Sequence, residues 1–393
     1  MRSMKKIVLD FYSCRNLGDD LFVWVFSKHF SDCRIRLLAN PKCIPTFLPQ
    51  NVRVHPYSYP DLLLRKLTDM SAARGKGKTV RALTDFRNRC LDRIGANCDA
   101  FVKIGGSIFM QHTPQCPEID FSTREKPDFA CKPGKAGVGN RFVIGANLGP
   151  VYTGDYWEQM EREFRKYRSV CLRDYASYCK MRNVPNVRYA PDVLFLLPVP
   201  KTAPREENVV FSVMDIGRYT ADQKIVDAYF HLLEQAIGYF LRKQIPVTLV
   251  SFCQWQGDAQ AIEKLMQRFP GEKGISACCY EKNPDPVLEA LAGADFIVGS
   301  RFHSTILGIS FGKPVFPIIY NSKTAHYLSD LPFSGKSVRL EDLPAATLED
   351  LLYNYTNRLI TDCTDHRRYA ENQFADLRCY LEKKEREIES NTV

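Results

Sequence analysis

Residues 294–323 read ADFIVGSRFHSTILGISFGKPVFPIIYNSK, and the prediction of the fold starts from this stretch. Its apolar pattern predicts a strand at 295–298, a helix at 304–311 and a strand at 315–320. Arg301 and His303 lie in the turn between the first strand and the helix. In an open parallel sheet, ligands bind outside the carboxyl ends of the strands. The stretch therefore predicts an α/β fold with a ligand site at this turn.

The residue types of this turn are suited to an anionic ligand and to proton transfer. A helix that begins at Ser304 would present free backbone N–H groups and a partial positive charge, so Ser304 is a predicted substrate-binding residue. The guanidinium of Arg301 offers a planar set of donors for a carboxylate or a phosphate. His303 can carry a proton near neutral pH. A histidine that only caps or packs against the helix is the alternative interpretation.

The composition indicates a soluble enzyme with two domains. The chain has 393 residues, of which 45% are hydrophobic and 25% are charged. No apolar run reaches the roughly 18 residues that span a membrane, and the N-terminal apolar run is too short for a signal peptide, so we expect a cytoplasmic protein. The 14 cysteines include no CxxC pair, and neither they nor the carboxylates suggest a metal site.

The net charge of +9 is concentrated at residues 65–93. This basic segment is either a solvated pair of helices or a patch that meets anionic lipid or an acidic substrate at the inner face of the membrane. Nucleic acid is not expected as a partner, because aromatic residues are not interleaved with the charges. Residues 116–140 lack periodicity and read as an irregular excursion near the ligand site.

Strands and helices alternate along the chain, which predicts parallel sheets with helices on both faces. The proline-rich segment 199–207 divides the pattern into two halves, so we expect two Rossmann-like domains that face each other across a cleft. The domains would span residues 1–200 and 208–362, followed by a surface helix within 365–390. Strands are predicted at 7–12, 36–39, 99–104, 141–146, 170–172, 187–189, 209–213, 246–252, 275–279, 295–298 and 315–320. Helices are predicted at 21–30, 156–167, 221–242, 258–268, 285–293, 304–311, 347–358 and 367–387.

Small or charged residues follow several strands of the first half. Asn16 and Gly18 follow the first strand, and Asp19 either caps the next helix or acts on a substrate. Gly105 and Gly106 form either a nest of backbone N–H groups or a plain turn. All five residues are candidates for the site.

Five further candidates lie after other strands. Asn147 belongs to the loop after the strand at 141–146. Arg173 and Asp174 form either a structural ion pair or a substrate clamp. Arg218 and Lys323 are either substrate ligands or solvated surface residues.

Taken together, these loops resemble the polysaccharide pyruvyl transferase family. The resemblance rests on NLGDD at 16–20, KIGGSIF at 103–109, IGANLGP at 144–150, CLRDYAS at 171–177, APDVLF at 190–195 and the block at 298–323. It implies two Rossmann-like domains arranged as in the glycosyltransferase B architecture. It also implies that Arg301 and His303 belong to the active site, although Phe302 stands where relatives often have an aliphatic residue.

The resemblance implies that phosphoenolpyruvate is the donor and that two hydroxyls of a sugar receive a pyruvate ketal, without a cofactor. The sugar would belong to a lipid-linked or nucleotide-linked precursor of a capsule, exopolysaccharide or cell wall. Arg301, Arg218 and Lys323 are predicted to bind the donor, and His303 is the predicted general acid. Asp19 or Asp174 is the predicted base. A nucleotide-sugar glycosyltransferase and a non-catalytic glycan-binding protein are the alternatives.

Overall fold

A computed structural model gives the structure of the protein. It describes residues 4–56, 98–109, 140–149, 151, 154–202 and 207–390, with isolated helical residues between 67 and 83. The irregular segment predicted at 116–140 lies outside the described residues, as does nearly all of the basic segment at 65–93.

The described chain forms two parallel β-sheets. The first sheet has seven strands in the order β3-β2-β1-β4-β5-β6-β7, and the second has six in the order β10-β9-β8-β11-β12-β13. All of these strands pair in parallel, so the carboxyl ends of the strands of each sheet lie at one edge. The strands are β1 Lys6–Phe11, β2 Arg34–Ala39, β3 Val52–Pro56, β4 Ala100–Ile104, β5 Arg141–Ala146, β6 Ser169–Leu172, β7 Val187–Tyr189, β8 Val209–Ser212, β9 Val247–Ser251, β10 Ile275–Cys279, β11 Phe296–Gly299, β12 Val315–Ile319 and β13 Val338–Arg339.

Helices cover both sheets. Apolar residues recur at helical spacing in the long helix α4, whose buried side chains include Tyr229, Leu233 and Phe240. The described helices are α1 Leu17–His29, α2 Gly154–Phe164, α3 Tyr175–Met181, α4 Gln223–Arg242, α5 Asp258–Met266, α6 Asp285–Gly293, α7 Phe302–Ser310, α8 Ser322–Asp330, α9 Leu348–Thr356, α10 Thr364–Ala370 and α11 Ala375–Ser390.

One hydrophobic cluster joins the two domains. Phe22 and Phe26 of α1 share it with Phe302 and Ile306 of α7 and with the 3-10 turn Val193–Leu196. This shared core places the beginning of α1 beside the beginning of α7. The turn that was predicted from the sequence to bind ligand therefore lies against the first domain.

The structure corrects several predicted elements. Strand β3 was missed because its VRVHP sequence is only partly apolar, and it lies at the edge of its sheet. Helix α8 was missed, so Lys323 lies in the first turn of a helix and not in a loop. The single helix predicted at 367–387 is two helices, α10 and α11, joined by a 3-10 turn. It is also not confined to the surface, because Phe374, Leu377 and Leu381 are buried.

Candidate functional site

The candidate site lies where loops of the two domains touch. The backbone N–H of Leu17 donates to the carbonyl of Phe252 at 2.9 Å. Asn16 and Cys253 pair in an isolated antiparallel bridge. These contacts bring the loop after β1 against the loop after β9, both at the carboxyl ends of their strands.

The first turn of α1 is shaped to receive His303. Asn16 caps this helix by accepting a hydrogen bond from the N–H of Gly18 at 3.1 Å. The capping interpretation of Asp19 is therefore wrong, since Asp19 already belongs to the helix. A Cβ atom on Gly18 would lie 1.7 Å from Nδ1 of His303, so a glycine is needed at this position.

The imidazole of His303 is buried between the domains. Its Nε2 lies 3.3 Å from Nη1 of Arg173, and its ring meets Phe22 edge-on with centroids 5.7 Å apart. A guanidinium can only donate, so Nε2 accepts and Nδ1 carries the proton. Burial, followed by the charges of Arg173 and Lys323, lowers the pKa of His303 well below its ordinary value. The imidazole is therefore neutral at pH 7 in the unliganded protein, where it cannot be the acid that the sequence predicted.

Arg173 follows β6 and is buried at the centre of the site. Its Nη1 donates to Asp192 at 2.8 Å, and its Nη2 donates to Oδ1 of Asn147 at 2.8 Å. Its guanidinium also lies 4.3 Å from the ring centroid of Phe302. A Cβ atom on Gly106 would come within 2.2 Å of Nη2, so this glycine leaves room for the arginine. The structural ion pair predicted for Arg173 exists, but with Asp192 and not with Asp174.

Two ionisable groups near Arg173 have pKa values close to neutrality. Nζ of Lys323 lies 3.1 Å from Oγ of Ser107, and burial together with the charge of Arg173 lowers its pKa to about 7. Burial raises the pKa of Asp19 to about 6, although Lys323 and Arg173 oppose this shift. Groups that titrate near neutral pH are suited to proton transfer.

The loops around these groups contribute small residues and an amide. Gly105, at φ +139°, would place a Cβ atom 3.7 Å from Oδ1 of Asp19. Among the described residues, the buried Nδ2 of Asn147 has no hydrogen-bond partner. An unpartnered buried donor is costly, and a bound anion would satisfy it.

Asp174 and Ser304 have structural roles. Both carboxylate oxygens of Asp174 accept hydrogen bonds from Ser177 at 2.8 Å, one from the backbone and one from the hydroxyl, which caps α3. The structure thus does not support Asp174 as the base. Ser304 is buried, and its hydroxyl donates to the carbonyl of Arg301 at 2.6 Å. Its side chain is therefore not a substrate ligand in this arrangement.

Arg301 is held within its own domain. Its Nε donates to Asp258 at 3.1 Å, and its Nη2 donates to the other oxygen of the same carboxylate. Nη1 donates to the hydroxyl of Tyr219 at 3.0 Å and to Gln256 at 2.5 Å. Burial disfavours the charge, but Asp258 outweighs it and raises the pKa of Arg301 above its ordinary value. All three guanidinium nitrogens thus already donate hydrogen bonds within the second domain.

Arg218 lies apart from these contacts. It ends the 3-10 turn Ile216–Arg218, is exposed, and pairs with Asp215 at 3.3 Å. The surface interpretation of Arg218 is the one that this arrangement favours.

Sequence reasoning missed the partners of both buried arginines. Asp192 could have been found, because it lies in the APDVLF block directly after a strand. Asp258 gave no such signal, since it lies 43 residues before Arg301 and reads as the first residue of a helix.

Within the described residues, no cluster of three or more His, Cys, Asp or Glu side chains could hold a metal ion. In the same part of the chain, no helix is both long and apolar enough to cross a membrane.

Comparison with known proteins places this geometry in a family. A sequence model of the polysaccharide pyruvyl transferases matches residues 16–322, and the chain belongs to that family. This match confirms the resemblance seen in the loop motifs. A search of curated protein sequences finds no match.

Solved structures with the same fold are glycosyltransferases of the GT-B class. TcCGT1 in complex with UDP aligns over 99% of this chain and 100% of its own, with 13% identity and a TM-score of 0.50. Anabaena Alr3699/HepE in complex with UDP-glucose aligns over 98% and 99%, with 10% identity and a TM-score of 0.45. The predicted fold of two Rossmann-like domains in a glycosyltransferase B-like architecture is confirmed, and family membership makes the chain a transferase.

Proposed function

We propose that this protein transfers the pyruvyl group of phosphoenolpyruvate to two hydroxyls of a sugar in a polysaccharide precursor. The product is a pyruvate ketal, phosphate is released, and no cofactor is needed. The observation that carries the proposal is the junction of Asp19, Arg173, His303 and Lys323, where groups from both domains meet. Family membership supports the same reaction.

The junction has the charge that binding of the donor requires. Phosphoenolpyruvate is a compact trianion at neutral pH, so its site must concentrate cations and N–H donors. Arg173 and Lys323 supply the cations, and the unpartnered Nδ2 of Asn147 supplies a donor.

Binding of the donor would raise the pKa of His303, so that its imidazole takes up a proton. Burial, together with the cationic surroundings, lowers the pKa of His303 and of Lys323 in the unliganded protein. A bound trianion reverses this effect, because an adjacent negative charge favours the protonated form. His303 would then act as the general acid only when phosphoenolpyruvate is bound, so the acid forms only when its substrate is in place.

The reaction can be written so that atoms and charges balance. His303 gives a proton to the methylene carbon, which becomes a methyl group, and the adjacent carbon becomes an oxocarbenium-like centre. A sugar hydroxyl adds to this centre and loses its proton to Asp19. The bond from the central carbon to the phosphate oxygen breaks, and the second hydroxyl closes the ring and gives its proton to the departing phosphate. The proton that Asp19 accepted returns to His303 through solvent. One donor and one diol thus give one ketal and one hydrogen phosphate.

Asp19 is the proposed base because its environment suits the role. Its pKa of about 6 makes it largely ionised at neutral pH and still basic enough to accept a proton in the transition state. Asp174 is spent on the cap of α3. The acceptor we propose is a lipid-linked or nucleotide-linked sugar, used by a cytoplasmic enzyme at the inner face of the membrane.

A thermal-shift titration tests the donor. A ligand that binds only the folded state stabilises it by RT ln(1 + [L]/Kd). We expect phosphoenolpyruvate to raise the melting temperature more than inorganic phosphate, and the shift to be lost in Lys323→Met. Stabilisation by UDP or GDP but not by phosphoenolpyruvate would contradict the proposal and indicate a nucleotide-sugar glycosyltransferase.

A further inference from the structure

Three aromatic side chains are exposed around the loop after β9. Tyr12 is 54% exposed, Trp255 is 51% exposed and Tyr219 is 37% exposed. Tyr12 follows β1 in the first domain, whereas Tyr219 and Trp255 follow β8 and β9 in the second. All three therefore lie at the carboxyl edges of the sheets, on both sides of the junction.

Successive contacts connect these rings to one another. Tyr12 hydrogen-bonds with the thiol of Cys14, and Cys14 contacts the thiol of Cys253 in the other domain. Trp255 is two residues further along the same loop. Gln256, the next residue, accepts a hydrogen bond from the hydroxyl of Tyr219 at 3.2 Å. Tyr12, Tyr219 and Trp255 thus lie on loops that contact one another across the junction.

The two tyrosines are held in a way that presents their rings. The hydroxyl of Tyr219 is bound to Arg301 and Gln256, and the hydroxyl of Tyr12 is bound to Cys14. Each polar end is therefore fixed, and the ring of Tyr219 also packs against Tyr320 with centroids 4.6 Å apart, while part of each residue stays exposed. Exposed aromatic surface is unfavourable for folding, and fixed rings lose little conformational entropy when they bind a partner. Partly exposed rings that are already held in place are suited to binding a ligand.

We propose that Tyr12, Tyr219 and Trp255 form the platform that binds the sugar rings of the acceptor. The face of an aromatic ring is partially negative, and one face of a hexose carries a row of partially positive C–H groups. Planar polar side chains beside the platform, Gln254, Gln256 and Asp215, can pair with neighbouring sugar hydroxyls. The occupant is a sugar, and this inference rests on the proposed function for its place in the reaction.

The platform also explains how an acceptor would reach the reacting centre. Tyr219 donates to the same network as Nη1 of Arg301, and the bridge from Cys253 to Asn16 leads to the turn that carries Asp19. A sugar that stacks on the rings would therefore have its hydroxyls next to the proposed base. The platform fixes the sugar, and the buried junction performs the chemistry.

Saturation-transfer NMR with methyl glycosides of glucose, galactose, mannose, N-acetylglucosamine and N-acetylmannosamine tests the platform. We expect a saturable signal from at least one glycoside, lost in Trp255→Ala and in Tyr12→Ala and retained in Tyr12→Phe, which keeps the ring. Tyr353→Ala and Tyr369→Ala are matched controls, because these tyrosines are 43% and 46% exposed but lie on α9 and α10. Both controls should bind the glycoside as the wild type does.

The kinetic form of the test separates this inference from the proposed function. With a glycoside that is turned over, Trp255→Ala should raise the acceptor KM by about 5- to 50-fold, the cost of losing one stacking ring, while the phosphoenolpyruvate KM stays unchanged. No glycoside signal from the wild type, equal binding by Trp255→Ala, or a signal from uridine alone would overturn the platform. Glycoside binding without any phosphoenolpyruvate-dependent phosphate release would instead overturn the proposed function and leave the platform standing.

Discussion

Arg301 and His303 are separated by one residue, yet they face different domains. Arg301 points into its own domain, where Asp258 binds it through two nitrogens. His303 points into the other domain, where it meets Gly18 and Arg173. The first turn of α7 therefore divides one short motif between an ion pair that organises a domain and a histidine that completes the site.

Arg301 and His303 therefore have different roles although they are close in sequence. The charge of Arg301 is compensated by a buried carboxylate, so its loss would be felt first as lost stability. The imidazole of His303 has no carboxylate hydrogen-bond partner among the described residues, and burial followed by the nearby cations lowers its pKa so that it is neutral. Loss of the imidazole should therefore lower turnover more than it lowers stability. The predictions below test this division.

Gly18→Ala should have the largest effect on activity. The new Cβ would occupy the position of the His303 ring, so the histidine must leave the junction. We expect turnover to fall by about 10²–10⁴-fold, which is the usual contribution of a positioned acid or base. Phosphate release measures the effect. Gly238→Ala in α4 is the control, because its Cβ would come nearest to the flexible end of Arg242, at 3.2 Å from Nη1, and its activity should match that of the wild type.

Asp258→Ala should have the largest effect on stability. It leaves the guanidinium of Arg301 buried without its carboxylate and removes the acceptor of two backbone N–H groups, those of Phe252 and Cys253. Breaking a buried ion pair in this way costs about 3–5 kcal/mol of unfolding free energy. Urea unfolding measures it. A change below about 1 kcal/mol would show that Arg301 is not held by this pair.

Lys323→Met should change how stability depends on pH. The pKa of Lys323 is about 7 in the folded protein and close to the ordinary value of 10.5 when unfolded. Between these values the unfolded chain binds more protons, so this lysine makes stability rise as pH increases from 7 to about 10. The melting temperature of the wild type minus that of the variant should therefore increase as the pH rises through this window. A constant difference between the two proteins would contradict the lowered pKa.

Arg218→Ala should have the smallest effect. The side chain is exposed and pairs only with Asp215, three residues earlier, and such surface pairs contribute about 0–1 kcal/mol. We expect less than a twofold change in the half-saturating concentration of phosphoenolpyruvate. A tenfold increase would show that Arg218 moves into the site and binds the donor, as the sequence suggested.

The sequence predicted the architecture because both sheets are built from short apolar strands that alternate with helices. Local patterns also located the loops that carry Gly18, Gly106, Arg173 and His303. They could not show which residues pair with each other. The contact from Arg173 to His303 joins positions 130 residues apart and depends on the packing of two domains, which no local pattern encodes.

Local reasoning also failed where one residue type has two common uses. Asp174 follows a strand and precedes a helix, a position that suits a catalytic base and a helix cap equally well, and the hydrogen bonds from Ser177 decide for the cap. The C-terminal helix looked like a surface element because it is rich in charge. Its few apolar residues lie on one face, which packs against the first domain through the shared core.

Calorimetric titration with phosphoenolpyruvate at pH 8, repeated in buffers with different ionisation enthalpies, tests whether the junction of Asp19, Arg173, His303 and Lys323 is the donor site. We expect phosphoenolpyruvate to bind and the protein to take up protons as it does so, because the bound trianion raises the pKa of Lys323 and His303. The proton uptake should be reduced in Lys323→Met. Absence of binding, or binding whose heat is the same in every buffer, would contradict the claim that this junction is the donor site.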